Sequence, residues 1–232
     1  ASQVLKEQTW LPRLKKYISF DIPIPIALGK PTFNYPWHWS IYKWIPGKSA
    51  NTVDIRAISL SDLASQLAAF LKEMHHIPTD LAPLPGEHNY WRGGSVSIYD
   101  AETRGIIKDL KKVINVANFT AVWENALKSE WNRPSVWIHG DLSAGNILIK
   151  DNNLVAVIDF GCMAVGDPAC DLVIAWTFLD KVNRLIFKNN FDLDVKAWQR
   201  AREWALWKTG LELVKMTDKF SAEGLRKQRI IQ

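Results

Sequence analysis

The stretch from His139 to Gly161 constrains this chain more than any other part of it. Asn146 leads into the run Ile147-Leu148-Ile149-Lys150, Asp151-Asn152-Asn153 follows, and Leu154 to Ile158 returns. Asp and Asn bond their own backbone and tolerate left-handed conformations, so three in a row between apolar runs predict a tight hairpin. Closing that hairpin carries the residue before its first strand and the residue after its second to the same end. Those residues are Asn146 and Asp159. Asp141 lies a short loop upstream, in His139-Gly140-Asp141-Leu142-Ser143-Ala144-Gly145-Asn146, and reaches the same space. Two carboxylates and an amide oxygen therefore converge, a donor set of the hard kind that Mg²⁺ prefers. The competing reading makes all three ordinary turn and strand-end residues.

The rest of the chain reads as a mixture of short strands and amphipathic helices. Residues 1–16 are expected to be helical, with Glu7 off the apolar face. Asp21 to Pro36, rich in Pro and Gly, reads as extended edges and turns. Trp37 to Ile45 alternates aromatic and polar residues as a strand does, and Pro46-Gly47 ends it. Leu60 to Met74 places Leu63, Ala64, Leu67, Phe70, Leu71 and Met74 on one helical stripe, with Ser61 or Asp62 available as a cap. Further helices are expected at Ala101 to Ile114, at Thr120 to Glu130 and from about Val195 to Val214. Asp167-Pro168 opens another, whose stripe is Leu172, Ala175, Trp176 and Leu179. Strands are expected at Val136 to Ile138, Ile147 to Lys150 and Leu154 to Asp159.

Composition narrows the class. Of 232 residues 47% are hydrophobic and 23% charged, which supports a packed core and argues against disorder. The net charge of +5 comes from cations scattered among acids. The one tight group, Lys108 with Lys111-Lys112, reads as a solvated helix face, so no nucleic-acid partner is expected. Cys162 and Cys170 have no metal-like spacing and make no disulfide framework. The apolar run Leu172 to Trp176 is too short to span a bilayer, and the first residues do not read as a secretory signal. No membrane partner and a cytoplasmic location are expected.

Phosphoryl transfer needs cations to neutralise the phosphates and a group that orients the attacking hydroxyl and accepts its proton. Asn146 and Asp159 suit the metal role, and Asp141, kept off the metal, suits the hydroxyl. A lone Asp-Phe-Gly arises by chance. A His-x-Asp-x-x-x-x-Asn loop placed one hairpin before Asp159-Phe160-Gly161 is specific, and it is the spacing known from protein kinases.

On these residues, and on Gly166-Asp167-Pro168-Ala169-Cys170-Asp171-Leu172, the chain resembles the aminoglycoside phosphotransferase family. Tyr35-Pro36-Trp37-His38-Trp39-Ser40, Trp44-Ile45-Pro46-Gly47 and Trp204-Ala205-Leu206-Trp207-Lys208 are similar to one bacterial subgroup of it. Gly140, where protein kinases carry Arg, points to the small-molecule branch. The resemblance implies an α+β, protein-kinase-like two-lobe fold: a partial N-terminal lobe over 1–46, including the hinge, and a mainly helical C-terminal lobe over 47–232 with the catalytic β-hairpin. It implies a kinase that uses Mg²⁺ and moves the γ-phosphate of ATP or GTP to a hydroxyl of a small molecule, antibiotic aminoglycosides among the candidates. Lys43, Trp44 and Ile45 resemble the hinge that meets the adenine, and Glu7 looks like the helix Glu that pairs with a phosphate-binding Lys. The alternatives are an ordinary strand end and a surface Glu. Asp171 looks like a family acid near the catalytic loop, or is simply a first-turn helix acid, and His139 is expected to support that loop by hydrogen bonds.

A Gly-rich phosphate loop and its Lys belong ahead of Glu7 in such proteins, and Lys6 cannot substitute. The expectation is that the sequence is part of a longer protein, weakly active or inactive alone and active with those parts, the alternative being a genuine short homologue. Asp167, Asp171, Asp180 and Glu203 are expected to lie in or near segments bordering an acceptor site. A kinase of sugars or amino-alcohols, a non-catalytic nucleotide- or partner-binding relic, and a nucleic-acid binder are the competing functions.

Overall fold

Short strands frame the His139–Gly161 segment and helices support it from one side. The computed structural model describes residues 2–231, so Ala1 and Gln232 lie outside the described residues. Helix α1 (Ser2–Leu14) buries Leu11 and Leu14. Strands β1 (Pro25–Gly29) and β2 (Trp39–Tyr42) pair antiparallel, with Gly29 opposite Trp39. A Cβ on Gly29 would stand 1.8 Å from the Trp39 indole, so only glycine fits there. The strand expected over Trp37 to Ile45 is thus confined to its centre. Strand β3 (Lys48–Ser49) follows.

Helix α2 (Leu60–His75) buries the whole stripe read from its periodicity, along with Ala68. Its cap is Ser59, whose hydroxyl accepts from the Asp62 N–H, one turn earlier than the caps expected. Helix α3 (Asp100–Asp109) stops short of Ile114, and α4 (Val116–Ala126) starts before Thr120. Asn115 sets the start of α4: its side chain accepts from the Asn118 N–H at 3.0 Å and caps the helix ahead of the expected Thr120.

Strand β4 (Val136–Ile138) pairs with β7 (Ala164–Gly166), while β5 (Ile147–Lys150) and β6 (Asn153–Val157) form the expected hairpin, flanked by β3. Asp151 and Asn152 take φ of 49° and 62°, the left-handed turn that their residue types allow. Asp167 caps only a short turn at Pro168–Cys170, and α5 (Ile174–Thr177) starts after it. The chain then forms α6 (Lys181–Asn189), capped by Asp180, and the long α7 (Val195–Lys215), capped by Asp194. Helix α8 (Ala222–Ile231) packs on α7. Trp198, Ala201, Ala205 and Trp207 of α7 are buried, each apolar side chain contributing on the order of 1.5–3 kcal/mol where it is large. The architecture is the mixed α+β arrangement expected, small sheets beside a mainly helical body. No helix among the described residues is long and apolar enough to cross a membrane, and Cys162 and Cys170 are free thiols.

Candidate active site

The loop between β4 and the hairpin is held from three directions. His139 is fully buried. Its Nε2 lies 3.0 Å from the Ile158 carbonyl oxygen, which can only accept, and its Nδ1 lies 3.2 Å from the Asp141 N–H, which can only donate. The ring is therefore the neutral tautomer with its proton on Nε2. Burial depresses its pKa and reinforces that state. His139 braces the loop, as expected.

Below the loop lies Asp171, also fully buried. Its Oδ2 accepts from the His139 N–H at 2.6 Å and its Oδ1 from the Gly140 N–H at 2.8 Å. Burial pushes its pKa up to about 7, although the two N–H bonds favour the charged form. Of the two readings of Asp171, the loop-supporting one is what the geometry shows. Gly140 takes φ +82°, and a Cβ there would stand 2.3 Å from the Cys162 carbonyl oxygen. The residue is glycine for two independent reasons.

Asn146 donates from Nδ2 to the Asp141 carbonyl at 2.9 Å. That contact orients the amide and leaves Oδ1 as its remaining acceptor. The Ile158 N–H donates to the Asn146 carbonyl at 2.9 Å, so Asn146 and Asp159 do flank the same end of the β5–β6 hairpin. Asp159 itself takes φ +66°. The next residue, Phe160, is buried against His139 and Phe70, with ring centroids 4.6 and 6.4 Å away, which fixes the backbone that carries the carboxylate.

Asp141 is more open. Its Oδ1 accepts from Lys208 Nζ of α7 at 2.6 Å. Lys208 was quoted above only as part of a family fragment. The signal that would have found it, the side of α7 that faces the loop, depends on packing and not on local pattern.

Asp159 also lines a cleft of about 470 Å³ together with Glu7, Tyr42, Lys43, Trp44 and Ile45. The residues read as hinge and helix Glu are thus gathered around one opening. Glu7 accepts a short hydrogen bond from the Tyr42 hydroxyl. Burial raises the Glu7 pKa, against the Tyr42 bond, and the nearby Asp159 adds to the rise. Lys6 points elsewhere: its Nζ donates to the Met163 carbonyl at 3.0 Å and meets His88 Nδ1 at 2.9 Å.

Asn146 Oδ1 and the Asp159 carboxylate are hard oxygen donors at one hairpin end, which fits Mg²⁺. Among the described residues no three His, Cys, Asp or Glu side chains form a metal cage. A two-donor protein site is the kind Mg²⁺ completes with water and phosphate oxygens.

Of the four acids expected in or near segments bordering an acceptor site, three are buried. Asp167 is buried and binds Arg200 at 2.6 Å, Asp171 lies under the loop, and Glu203 is buried in α7. Asp180 alone of the four is exposed, and it caps α6. Helical position marked these residues, but their burial is set by packing.

Glu203 makes a separate prediction. It is 2% exposed, and its Oε2 has no hydrogen-bond partner among the described residues. Burial pushes its pKa up to about 7 from 4.5. The folded form therefore keeps a proton that the unfolded chain has released, and the group's contribution is complete below the unfolded pKa and lost as pH rises through about 7. Between about pH 5 and about pH 7, wild-type thermal midpoints are expected to fall more than those of Glu203→Gln. Parallel pH profiles for the two proteins would contradict this assignment.

A family model described as the phosphotransferase enzyme family matches residues 1–207. The chain belongs to that family. The family's aminoglycoside 3'-phosphotransferase of Salmonella typhimurium is 26% identical over 160 residues, 66% of this chain. The match spans 57% of the length of that relative. Among solved structures, the GDP complex of wild-type aminoglycoside 2'-phosphotransferase-IIIa aligns with a TM-score of 0.64 at 16% identity, covering 99% of this chain and 80% of that one. The macrolide 2'-phosphotransferase MphH apoenzyme from Brachybacterium faecium aligns with a TM-score of 0.57 at 17% identity, covering 100% and 80%. At these identities what is shared with the two structures is the family's fold.

Proposed function

We propose that this family member transfers the terminal phosphate of ATP or GTP to a hydroxyl of a small molecule. The observation that carries the reading is the placement of Asp141, Asn146 and Asp159 around one hairpin end, with Asp159 lining the cleft that Glu7, Lys43, Trp44 and Ile45 share. Asp141 orients the acceptor hydroxyl and takes its proton as the oxygen attacks phosphorus. The bond from the terminal phosphorus to the bridging oxygen breaks, and the nucleoside diphosphate leaves. Lys208 holds the Asp141 carboxylate in place. Asn146 and Asp159 would hold Mg²⁺, which when bound offsets the charge of the phosphates. The backbone of Lys43 to Ile45 meets the base, and Glu7 faces the phosphate side of the same cleft.

This reading divides the chain at the hinge, 1–46 contributing to nucleotide binding and 47–232 to catalysis and acceptor binding. The free thiols of Cys162 and Cys170 accord with a cytoplasmic setting. The relatives act, by their names, on aminoglycosides and on a macrolide, and sugars or amino-alcohols are further acceptors with a suitable hydroxyl.

Calorimetric titration tests the metal assignment. Asp159→Ala is expected to weaken ATP binding in the presence of Mg²⁺ by about tenfold or more, and to change metal-free binding far less. Equal Mg²⁺-dependent affinities in wild type and variant would remove Asp159 from the metal site. Nucleotide turnover that rises on adding a hydroxyl acceptor, with phosphate recovered on it, tests the transfer itself. Binding without any transfer would favour the relic.

A further inference from the structure

Two clefts meet beside the catalytic loop. One, of about 740 Å³, runs between Ser143 to Gly145 of the loop and Lys208, the partner of Asp141. Its acids are already matched by cations: Glu212 and Glu223 share Lys227, and Asp54 is held by Arg56 at 2.8 Å. The other, of about 600 Å³, shares Ile55, Thr177, Phe178, Arg226 and Ile230 with the first, so the two form one trough.

The far end of the trough is built from arginine. Arg184 of α6, Arg202 of α7, and Arg226 and Arg229 of α8 line it against a single carboxylate, Asp180. Asp180 is already engaged by the Asn183 N–H at 2.8 Å. Arg184 gives Nε to the Ala175 carbonyl and stacks on Trp176, 5.4 Å from the ring centroid. Arg226 gives one N–H to the Thr177 carbonyl at 2.6 Å. Both keep further N–H groups free, and Arg202 and Arg229 form no hydrogen bond or ion pair among the described residues. Burial lowers the Arg184 pKa, the facing Arg202 lowers it further, and Asp180 opposes both. Guanidinium groups brought into one concavity by three helices repel each other until an anion sits among them, and their planar forks match an oxyanion in pairs.

We infer that this arginine cleft anchors a phosphate or carboxylate group of the acceptor, whose hydroxyl then lies along the trough toward Asp141. The inference rests on the phosphotransfer reading and names its substrate class: an anionic hydroxyl compound, not a polycation. Over the whole trough six cations face four acids, which disfavours a ligand carrying several ammonium groups.

Two measurements test it. Inorganic phosphate titrated calorimetrically should bind the Arg202→Ala/Arg229→Ala protein about tenfold or more weakly than wild type, with ATP binding as the control for folding. If the alanine protein is unstable, Arg202→Lys/Arg229→Lys, which keeps charge but loses the fork, should also bind more weakly. Phosphate affinity equal to wild type in the folded variants overturns the site. In turnover, matched pairs of an uncharged polyol and its phosphate ester are compared with a polycationic aminoglycoside. Wild type should favour the ester in kcat/KM by about tenfold or more, and the double variant should lose most of that ratio. A wild-type preference for the polyol or the aminoglycoside overturns the inference. If no acceptor is phosphorylated yet phosphate binding still depends on Arg202 and Arg229, the anion site stands and the phosphotransfer reading falls.

Discussion

In the active protein, Asp141→Ala is expected to lower kcat by about 10²–10⁴-fold, the range for a lost general base, with little change in nucleotide affinity. The split follows from geometry. Asp141 is not among the residues lining the cleft of Glu7, Lys43 to Ile45 and Asp159, and its carboxylate is turned toward Lys208. Asp141→Asn keeps the shape but cannot take a proton, so it should lose nearly as much rate as alanine. Steady-state kinetics together with calorimetric ATP binding separate the two effects. Normal turnover by either variant would show that another group receives the proton.

The largest effect on stability is expected at Asp171→Ala. Two backbone donors, the N–H groups of His139 and Gly140, end on this one carboxylate, and both are buried. Leaving each unpaired costs about 1–3 kcal/mol, offset in part because alanine relieves the cost of burying the carboxylate itself. A net loss of about 2 kcal/mol or more is expected from the denaturant midpoint at unchanged slope. Asp171→Asn should also destabilise, since its NH₂ would face one of the two N–H groups. An unchanged midpoint in both variants would mean that the hairpin and Phe160 hold the loop without help from below.

What could be read from sequence was what short-range chemistry decides. Asp151-Asn152-Asn153 takes a tight turn because its residues tolerate positive φ, and hairpin register then places Asn146 and Asp159 without further information. The α2 stripe was legible because sixteen residues give periodicity room to repeat. Strand β3, two residues long, offers no such room. Helices α6 and α8 went unread for a different reason. Their capping is local, but few of their residues are buried: Phe187 in α6, and Gly224, Gln228 and Ile231 in α8. Residues brought together by helix packing were not legible at all. Lys208 lies 67 residues from Asp141, and the four cleft arginines come from three helices. The same limit hid the burial of Asp167 and Glu203, whose acidity was visible.

One residue without a reactive side chain joins the two halves of the centre. The N–H of Ile158 holds the Asn146 carbonyl and its own carbonyl accepts from the His139 ring Nε2, so the main chain at position 158 ties the strand that delivers Asp159 to the loop that carries Asp141. A joint of this kind does not depend on what is written at that position. An apolar residue that keeps the backbone extended here would preserve the alignment, whereas proline, lacking the N–H, would cut it. The backbone of position 158 thus serves the joint while the residue also lines the cleft that holds Glu7 and Asp159.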